Sequence, residues 1–502
     1  MLQQLTPTAL TAQSIAQSKP SQADLERRRH IHHAWEAYRG KLPQPLKVSA
    51  DQPNDNVLAN RCAPIVDKGV SFLFGKQLKI EAATEAQKQA KDAADEAGLP
   101  EAPKKETPTQ DFLDGIWGDD DDKMTLLSQL AINGGVCGQT FAKLIPAQGM
   151  MKFPRIVVLN PELIRIVTAP DDCSLTVAYI IEYPIGDGTV QKRQVIARVD
   201  PDGLAEVAGE YDLDDIWTIT NYIRNVQYGS VNAPWIQVGS QEVWPYPFAP
   251  IFCCQNLPNP NEPWGTPDLT LDIIEMNRVL NFVQSNTSRI IKYHAHPKTW
   301  AKGIGASQIQ IAVDDVIVLQ SDTAQIGVLE MHSDLASSLN FAANLRADMD
   351  EQSRVPAVAL GRTAELPKGN ISGVALQLLF QPLIEKTVMK QRLYGKLVRE
   401  ISRAALVLGG LVDITDYEDE EIELHWQNLL PVDDLAAAQT AQILQTLGVS
   451  DSTILQQLGY DADAETMKSA SETAKKAALL PAPQKTVAQD TQQQKDAGMG
   501  NE

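Results

Sequence analysis

Cysteine is scarce in this chain: five among 502 residues, at positions 62, 137, 173, 253 and 254, with no C-x-x-C pair. An odd number without paired spacing excludes a disulfide framework and a zinc ribbon and leaves reduced thiols. Long apolar runs are missing as well. No stretch approaches the roughly 18 residues of a membrane span, and the opening MLQQLTPTALTAQ has neither the basic start nor the apolar core of a signal peptide. The chain is therefore expected to be soluble, made inside the cell and in contact with no membrane. The signatures of chemistry are absent too. There is no GxxxxGK[ST] phosphate loop, HExxH or GxSxG, and no GxGxxG between a strand and a helix. We expect a protein that is not an enzyme and carries no cofactor.

Two segments offer metal donors without the pattern a metal needs. RRRHIHH, residues 27–33, supplies His30, His32 and His33, but no carboxylate or cysteine stands at ligand spacing, so it reads as an exposed basic helix face. The run Asp119 to Asp122 followed by Lys123 lacks the later glycine and the closing glutamate of a calcium loop. Acidic residues opening a helix, stabilised by its dipole, account for it. No metal site is expected.

What the chain does have is apolar content for two to four domains, at 43% hydrophobic residues, and a large negative charge. The 44 Lys and Arg against 64 Asp and Glu give −20 and a pI near 4.8. That excludes a uniformly basic coat for nucleic acid. The charge is segregated, however. Residues 276–313 contain no acid while Arg278, Arg289, Lys292, Lys298 and Lys302 give +5; residues 385–403 carry +4; residues 404–467 hold thirteen acids and no Lys or Arg. One face could meet a polyanion and another repel it, or the charges could sit on ordinary solvated helix faces.

The pattern divides the chain. Residues 1–20, rich in Gln, Thr, Ser and Ala, read as a flexible arm. Ser21 and Asp24 cap a helix that Gly40 ends, and a second helical pattern runs from about Asn56 to Gly75. Residues 82–110 are a low-complexity insertion. From 111 to 260, segments such as GGVCGQTFAKLI, FPRIVVLN, LTVAYIIEY, TVQKRQVIARV and DIWTITNYI alternate between turn signals, as in a sheet of hairpins. Thr266 as cap and Pro267 at the first helical position then open a helix with Leu269, Ile273, Met276, Leu280, Val283, Thr287 and Ile290 in four-three alternation. Strands are expected at IQIAV and VIVLQ, a further helix up to Val355-Pro356, and a long helix from Ser372 to about Leu408 that Pro382 should kink. The fold class is α+β.

The order of these pieces resembles the portal proteins of tailed bacteriophages, the head-tail connector family. The likeness is carried by DNVLANRCAPIVDKGVSFLFGKQLKIE, DFLDGIWGDDDDKMTLLSQLAINGGVCGQTFAKL, GTPDLTLDIIEMNRVLNFVQS and SRVPAVALGRTAELPKGNISGVALQLLF. Within these, Gly265, Asp268 and Leu269, then Asn370, Ser372, Gly373, Ala375 and Leu376, match the family's G-x-x-D-L and N-x-S-G-x-A-L arrangement. The resemblance implies a β-rich wing at 21–265, stem helices at 266–294 and 333–354, a clip at 295–332 and a tunnel loop at 355–372. A long helix with a crown at 373–470 and a flexible tail at 471–502 complete it. It also implies a homo-oligomeric ring of about twelve copies at one capsid vertex of the virion, assembled in the host cytoplasm and passing double-stranded DNA. The implied partners are the terminase large subunit, the major capsid and scaffolding proteins and a head-tail adaptor. Residues expected nearest DNA are Arg354, Arg362 and Lys368 in the tunnel loop, and Arg289, Lys292, Lys298 and Lys302 at the junction of stem and clip; intersubunit ion pairs are the competing role. A minor head or scaffolding protein without a channel is the alternative, which the sheet domain disfavours, and an undetected hydrolase would need convergent carboxylates that no segment supplies.

Overall fold

The computed structural model describes residues 15, 17–48, 54–83, 108–149, 151–169, 172–186, 188–199, 216–225, 233–295, 299–302, 323, 325–328, 335–362, 373–417, 421–429, 441–448, 450 and 453–455. Two compact units divide the chain, Met1–Thr84 with Glu106–Pro431, and Glu85–Lys105 with Val432–Glu502. In the second, residues 441–446 are helical. All packing below belongs to the first.

Helix α1 (Gln22–Tyr38) starts where the spacing predicts: the Ser21 hydroxyl accepts from the Asp24 N–H while the Asp24 carboxylate accepts from the Ser21 N–H. Of the expected basic face, Arg29, His30 and His32 are exposed, whereas Arg27 lies 3.7 Å over the Trp264 ring and Arg28 pairs with Glu182 at 3.0 Å. Helix α2 (Cys62–Phe74) begins six residues later than expected, because residues 54–61 run without helix. There the Val57 and Ala59 N–H groups donate to Ser285 Oγ and Asn281 Oδ1, and the Asn60 side chain accepts from the Cys62 N–H. Strand β1 (Lys79–Ala83) and helices α3 (Pro108–Trp117) and α4 (Asp120–Cys137) follow. The aspartate run does open a helix: Asp119 accepts from the Asp122 N–H, and the three that follow form the first turn, where the dipole favours them.

The hairpin region forms β2 (Gln139–Ile145), β3 (Arg155–Leu159), β4 (Ile164–Thr168), β5 (Thr176–Ile185), β6 (Val190–Val199), β7 (Ile216–Asn225), β8 (Ile236–Trp244) and β9 (Ile251–Gln255). They build an antiparallel sheet β3-β2-β9 and an antiparallel meander β4-β5-β6-β7-β8. Alternation gives the meander two buried faces. Tyr179, Ile181 and Ile196 join the main core, while Ala178, Ile180, Val195 and Ala197 pack with Ile15 and Trp235. The arm expected over residues 1–20 is thus held on the sheet from Ile15. Ile15 is 2% exposed, and the Lys19 and Ser18 carbonyls accept from Arg165. The five cysteines are free thiols, and burial pushes Cys62 and Cys137 up to about 12.

Helix α5 (Leu271–Ala295) leads to the hairpin of β10 (Thr299–Lys302) and β11 (Gln325–Val328), and α6 (Leu335–Ser353) returns to pack along α5. The IQIAV and VIVLQ strands lie outside the described residues. Helix α7 (Gly373–Leu408) is continuous across Pro382 for 36 residues. Leu397, Val398, Ile401, Ala404 and Ala405 bury it in the main core. Strand β12 (Glu421–His425) then pairs with β1.

Candidate functional site

Four lines of the fold converge just before α5. Asp268, Lys386 and Lys390 are each at most 3% exposed, and the aspartate holds both lysines, Oδ1 at 2.9 Å from Lys386 Nζ and Oδ2 at 2.5 Å from Lys390 Nζ. The Asn256 side chain donates through Nδ2 to Asp268 Oδ1 at 3.2 Å, and its Oδ1 accepts from the Tyr394 hydroxyl at 3.2 Å. Lys386 also donates to the Ser353 carbonyl that ends α6, at 2.8 Å. The knot therefore ties the α5 entrance to α7, the end of α6 and the loop after β9. It holds one anion and two cations. Burial raises the Asp268 carboxyl, but Lys390 and Lys386 outweigh it and hold the group well below the usual carboxylate range. Burial brings Lys390 down to about 8, against the pull of Asp268 and with Lys386 adding repulsion.

Small residues make room for the knot. Gly134 and Gly135 of α4 face it: a Cβ at Gly134 would strike the Tyr394 hydroxyl, and one at Gly135 would come within 3.0 Å of Asp268 Oδ2. The Gly135 carbonyl accepts from the Asp268 N–H at 2.8 Å and the Leu269 N–H at 3.2 Å. Gly265 and Gly138, the latter left-handed at φ 82°, approach so closely that a Cβ on either would strike the other's carbonyl oxygen. These bonds hold residues 266–269 outside the helix, so α5 starts at Leu271 rather than at the Thr266-Pro267 cap the sequence suggests.

The expected site residues do not gather in one place. Gly265, Asp268 and buried Leu269 lie at the knot. Arg289 and Lys292, near the other end of α5, reach one acid: Asp55 Oδ2 is 3.7 Å from Arg289 Nε and its Oδ1 is 3.1 Å from Lys292 Nζ. Arg362, after the 3-10 turn Ala357–Leu360, pairs with Asp350 of α6. Arg354, left-handed at φ 57°, is exposed where α6 ends, and Lys302 is exposed on β10. Gly373 opens α7 and Ala375 is half-buried in it. Lys298, Lys368, Asn370 and Ser372 lie outside the described residues.

Lys386 and Lys390 are what a charge count misses. They stand in a stripe, Leu383, Lys386, Lys390, Tyr394, Leu397 and Ile401, whose other members are all buried. Two lysines on the apolar stripe of a helix are the available signal that a buried acid waits elsewhere. Along α5 the buried face likewise carries a polar column, Asn277, Asn281 and Ser285, beside the apolar stripe.

The chain is α+β: α5 and α6 pack along each other, and the long α7 is buried in the sheet-rich main core. Residues 19–477 match the family described as phage portal protein, SPP1 Gp6-like, and the chain belongs to that family. No curated protein matches it in sequence. Among solved structures it is similar to a chain of the virion of a native gene transfer agent particle, at 13% identity over 90% of this chain and 99% of that chain, with a TM-score of 0.43. It is also similar to a chain of the neck of an empty gene transfer agent particle computed with C6 symmetry, at 14% identity, covering 80% and 90%, with a TM-score of 0.43.

Proposed function

We propose that this portal protein forms a ring of about twelve copies at one capsid vertex, through which the terminase motor drives double-stranded DNA and to which a head-tail adaptor later docks. In this reading residues 21–265 are the wing, α5 and α6 the stem, 295–332 the clip, 355–372 the tunnel loop and 373–470 the long helix with its crown. Family membership over residues 19–477 is the observation that carries it. The stem helices support it. Phe282 on α5 and Leu339 and Phe341 on α6 are 45%, 59% and 49% exposed, and a groove of about 330 Å³ between the helices is lined by Val283, Leu339 and Ala342. Identical copies placed head to tail around an axis would cover such faces through one heterologous contact that closes.

Charge suits passage better than grip. Each phosphate contact adds salt-dependent affinity that a sliding duplex must break. An acid-rich region at 404–467, with a few cations at Lys298, Lys302, Arg354, Arg362 and Lys368, would repel the duplex and guide it without holding it. Arg289 and Lys292, bound to Asp55, contribute less net field than their number suggests. The full-length chain imaged alone by electron microscopy should show rings with a central hole; a monomer or compact dimer at high concentration would point to the scaffolding alternative instead. Lys298→Glu with Lys302→Glu should then lower packaged DNA severalfold while rings still form, and unchanged phage yield would remove both lysines from the channel.

A further inference from the structure

Strands β1 and β12 alternate as a half-buried sheet should. Ile80, Ala82 and Ile422 turn into the core, and Glu81, Glu423 and His425 stand on the opposite face. The antiparallel register sets Glu81 directly across from Glu423, and His425 two residues further along the same face. Like charges directly opposite one another destabilise a strand pair. Here both carboxylates converge on one imidazole: His425 Nε2 lies 3.2 Å from Glu81 Oε2 and 3.6 Å from Glu423 Oε2. One donor atom from each residue lies within 4.8 Å of the other two, the only such trio among the described residues.

We propose that Glu81, Glu423 and His425 bind a divalent transition-metal ion that clamps β12 to β1. An imidazole nitrogen with two carboxylate oxygens is a donor set for Zn²⁺ or Mn²⁺, and the nitrogen disfavours Ca²⁺ and Mg²⁺, which take oxygen. Water completes the coordination, since His425 is exposed and the glutamates half-buried. The donors sit on paired strands, so the ladder fixes their separation before the ion arrives. Lys79 stands across from His425 and also acts on Asp120 of α4. A sheet of two strands is marginal by itself, and this one joins segments on either side of α7 that are far apart in the chain. An ion there fastens both strands through side chains of each. The clamp does not rest on the portal reading.

The test is a calorimetric titration of metal-stripped, full-length protein with Zn²⁺ alone. Wild type should show one site tighter than about 100 µM. His425→Ala and Glu81→Gln should each weaken it at least about tenfold, with circular dichroism unchanged because the side chains point away from the core. Amide exchange over residues 79–83 and 421–425 should slow on Zn²⁺ addition in wild type and not in His425→Ala. Absence of saturable binding, or variants that bind as wild type does, overturns the site. So does binding lost with His32→Ala instead, where the imidazole lies 3.3 Å from Glu162 and 3.8 Å from Glu36.

Discussion

Helix α5 is fastened near both ends by the same device, one aspartate holding two cations, in opposite surroundings. At its entrance Asp268 grips Lys386 and Lys390 with all three side chains at most 4% exposed. Near its far end Asp55 grips Arg289 and Lys292, whose side chains are 27% and 52% exposed. The buried contacts are also shorter, 2.5 and 2.9 Å against 3.1 and 3.7 Å, and the stakes differ more than the distances. In water an ion pair exchanges one solvated state for another and contributes at most about 1 kcal/mol. In the core the desolvation penalty has already been met by all three groups, so each depends on the others. The buried knot is a joint between helices, and the exposed one is a tether.

Removing the central acid from each knot separates these roles. Asp268→Asn keeps the shape and the Asn256 neighbourhood but leaves two buried ammonium groups against one amide. We expect a loss of about 3–5 kcal/mol, read as a large fall in melting temperature, with ring assembly failing because α5, α6 and α7 lose their common anchor. A melting curve like that of wild type would show that the joint is held by the surrounding apolar packing alone. The change at Asp268 should outweigh that at Asp55 by several-fold.

The buried knot also predicts an unusual response to pH. Lys390 is lowered from the ordinary 10.5 to about 8 by burial. Between those values the unfolded chain retains the proton that the native knot has released, so the unfolded state binds more protons and stability rises with pH. The slope can reach about 1.4 kcal/mol per pH unit for one proton. Asp268 works in the other direction: its lowered carboxyl stabilises the fold above the ordinary carboxylate range, and that contribution fades as acid protonates it. Stability should be measured across pH 7.5–10.5 for wild type and Lys390→Met. The wild-type curve minus the variant curve should climb over that window; a flat difference would mean that Lys390 keeps its charge and the knot carries a permanent excess cation.

Much of this could be read along the chain, and the exceptions share a cause. The capping box at Ser21, the strands from β2 to β7 and the span of α7 follow from residues near one another in sequence. Strand β8 did not announce itself, because Ile236 and Val238 are exposed and its alternation marks no buried face. The Thr266-Pro267 cap is a good local signal overruled by Gly135 and Asn256, which take the backbone groups of residues 266–269. Lys390 reads as part of a basic helix until Asp268, 122 residues earlier, is brought against it. Of the +4 counted over residues 385–403, two charges thus belong to the interior. The G-x-x-D-L motif marked the acid of this site, but its partners lie in tertiary contacts that no local pattern encodes.

The exposed tether gives the smallest effect and the sharpest control. Asp55→Asn removes the acid facing Arg289 and Lys292 but leaves both cations in contact with water, which screens them. The expected loss is below about 1 kcal/mol at low salt and is abolished near 1 M salt, where screening acts within about 3 Å. A salt-independent loss of the size expected for Asp268→Asn would mean that residues 54–61 are held to α5 by this ion pair. The alternative holdfast is uncharged: buried Ser285 accepts from the Val57 N–H at 2.9 Å, and buried Asn281 accepts from the Ala59 N–H at 3.1 Å. Because those two bonds survive the substitution, the segment should stay on α5 while the charge at this end of the helix changes by one unit. Asp55→Asn therefore varies the field there with the fold constant. If, as proposed, the cations at and beyond this end of α5 guide DNA, freeing Arg289 and Lys292 should alter packaging, and by less than reversing Lys298 and Lys302 does.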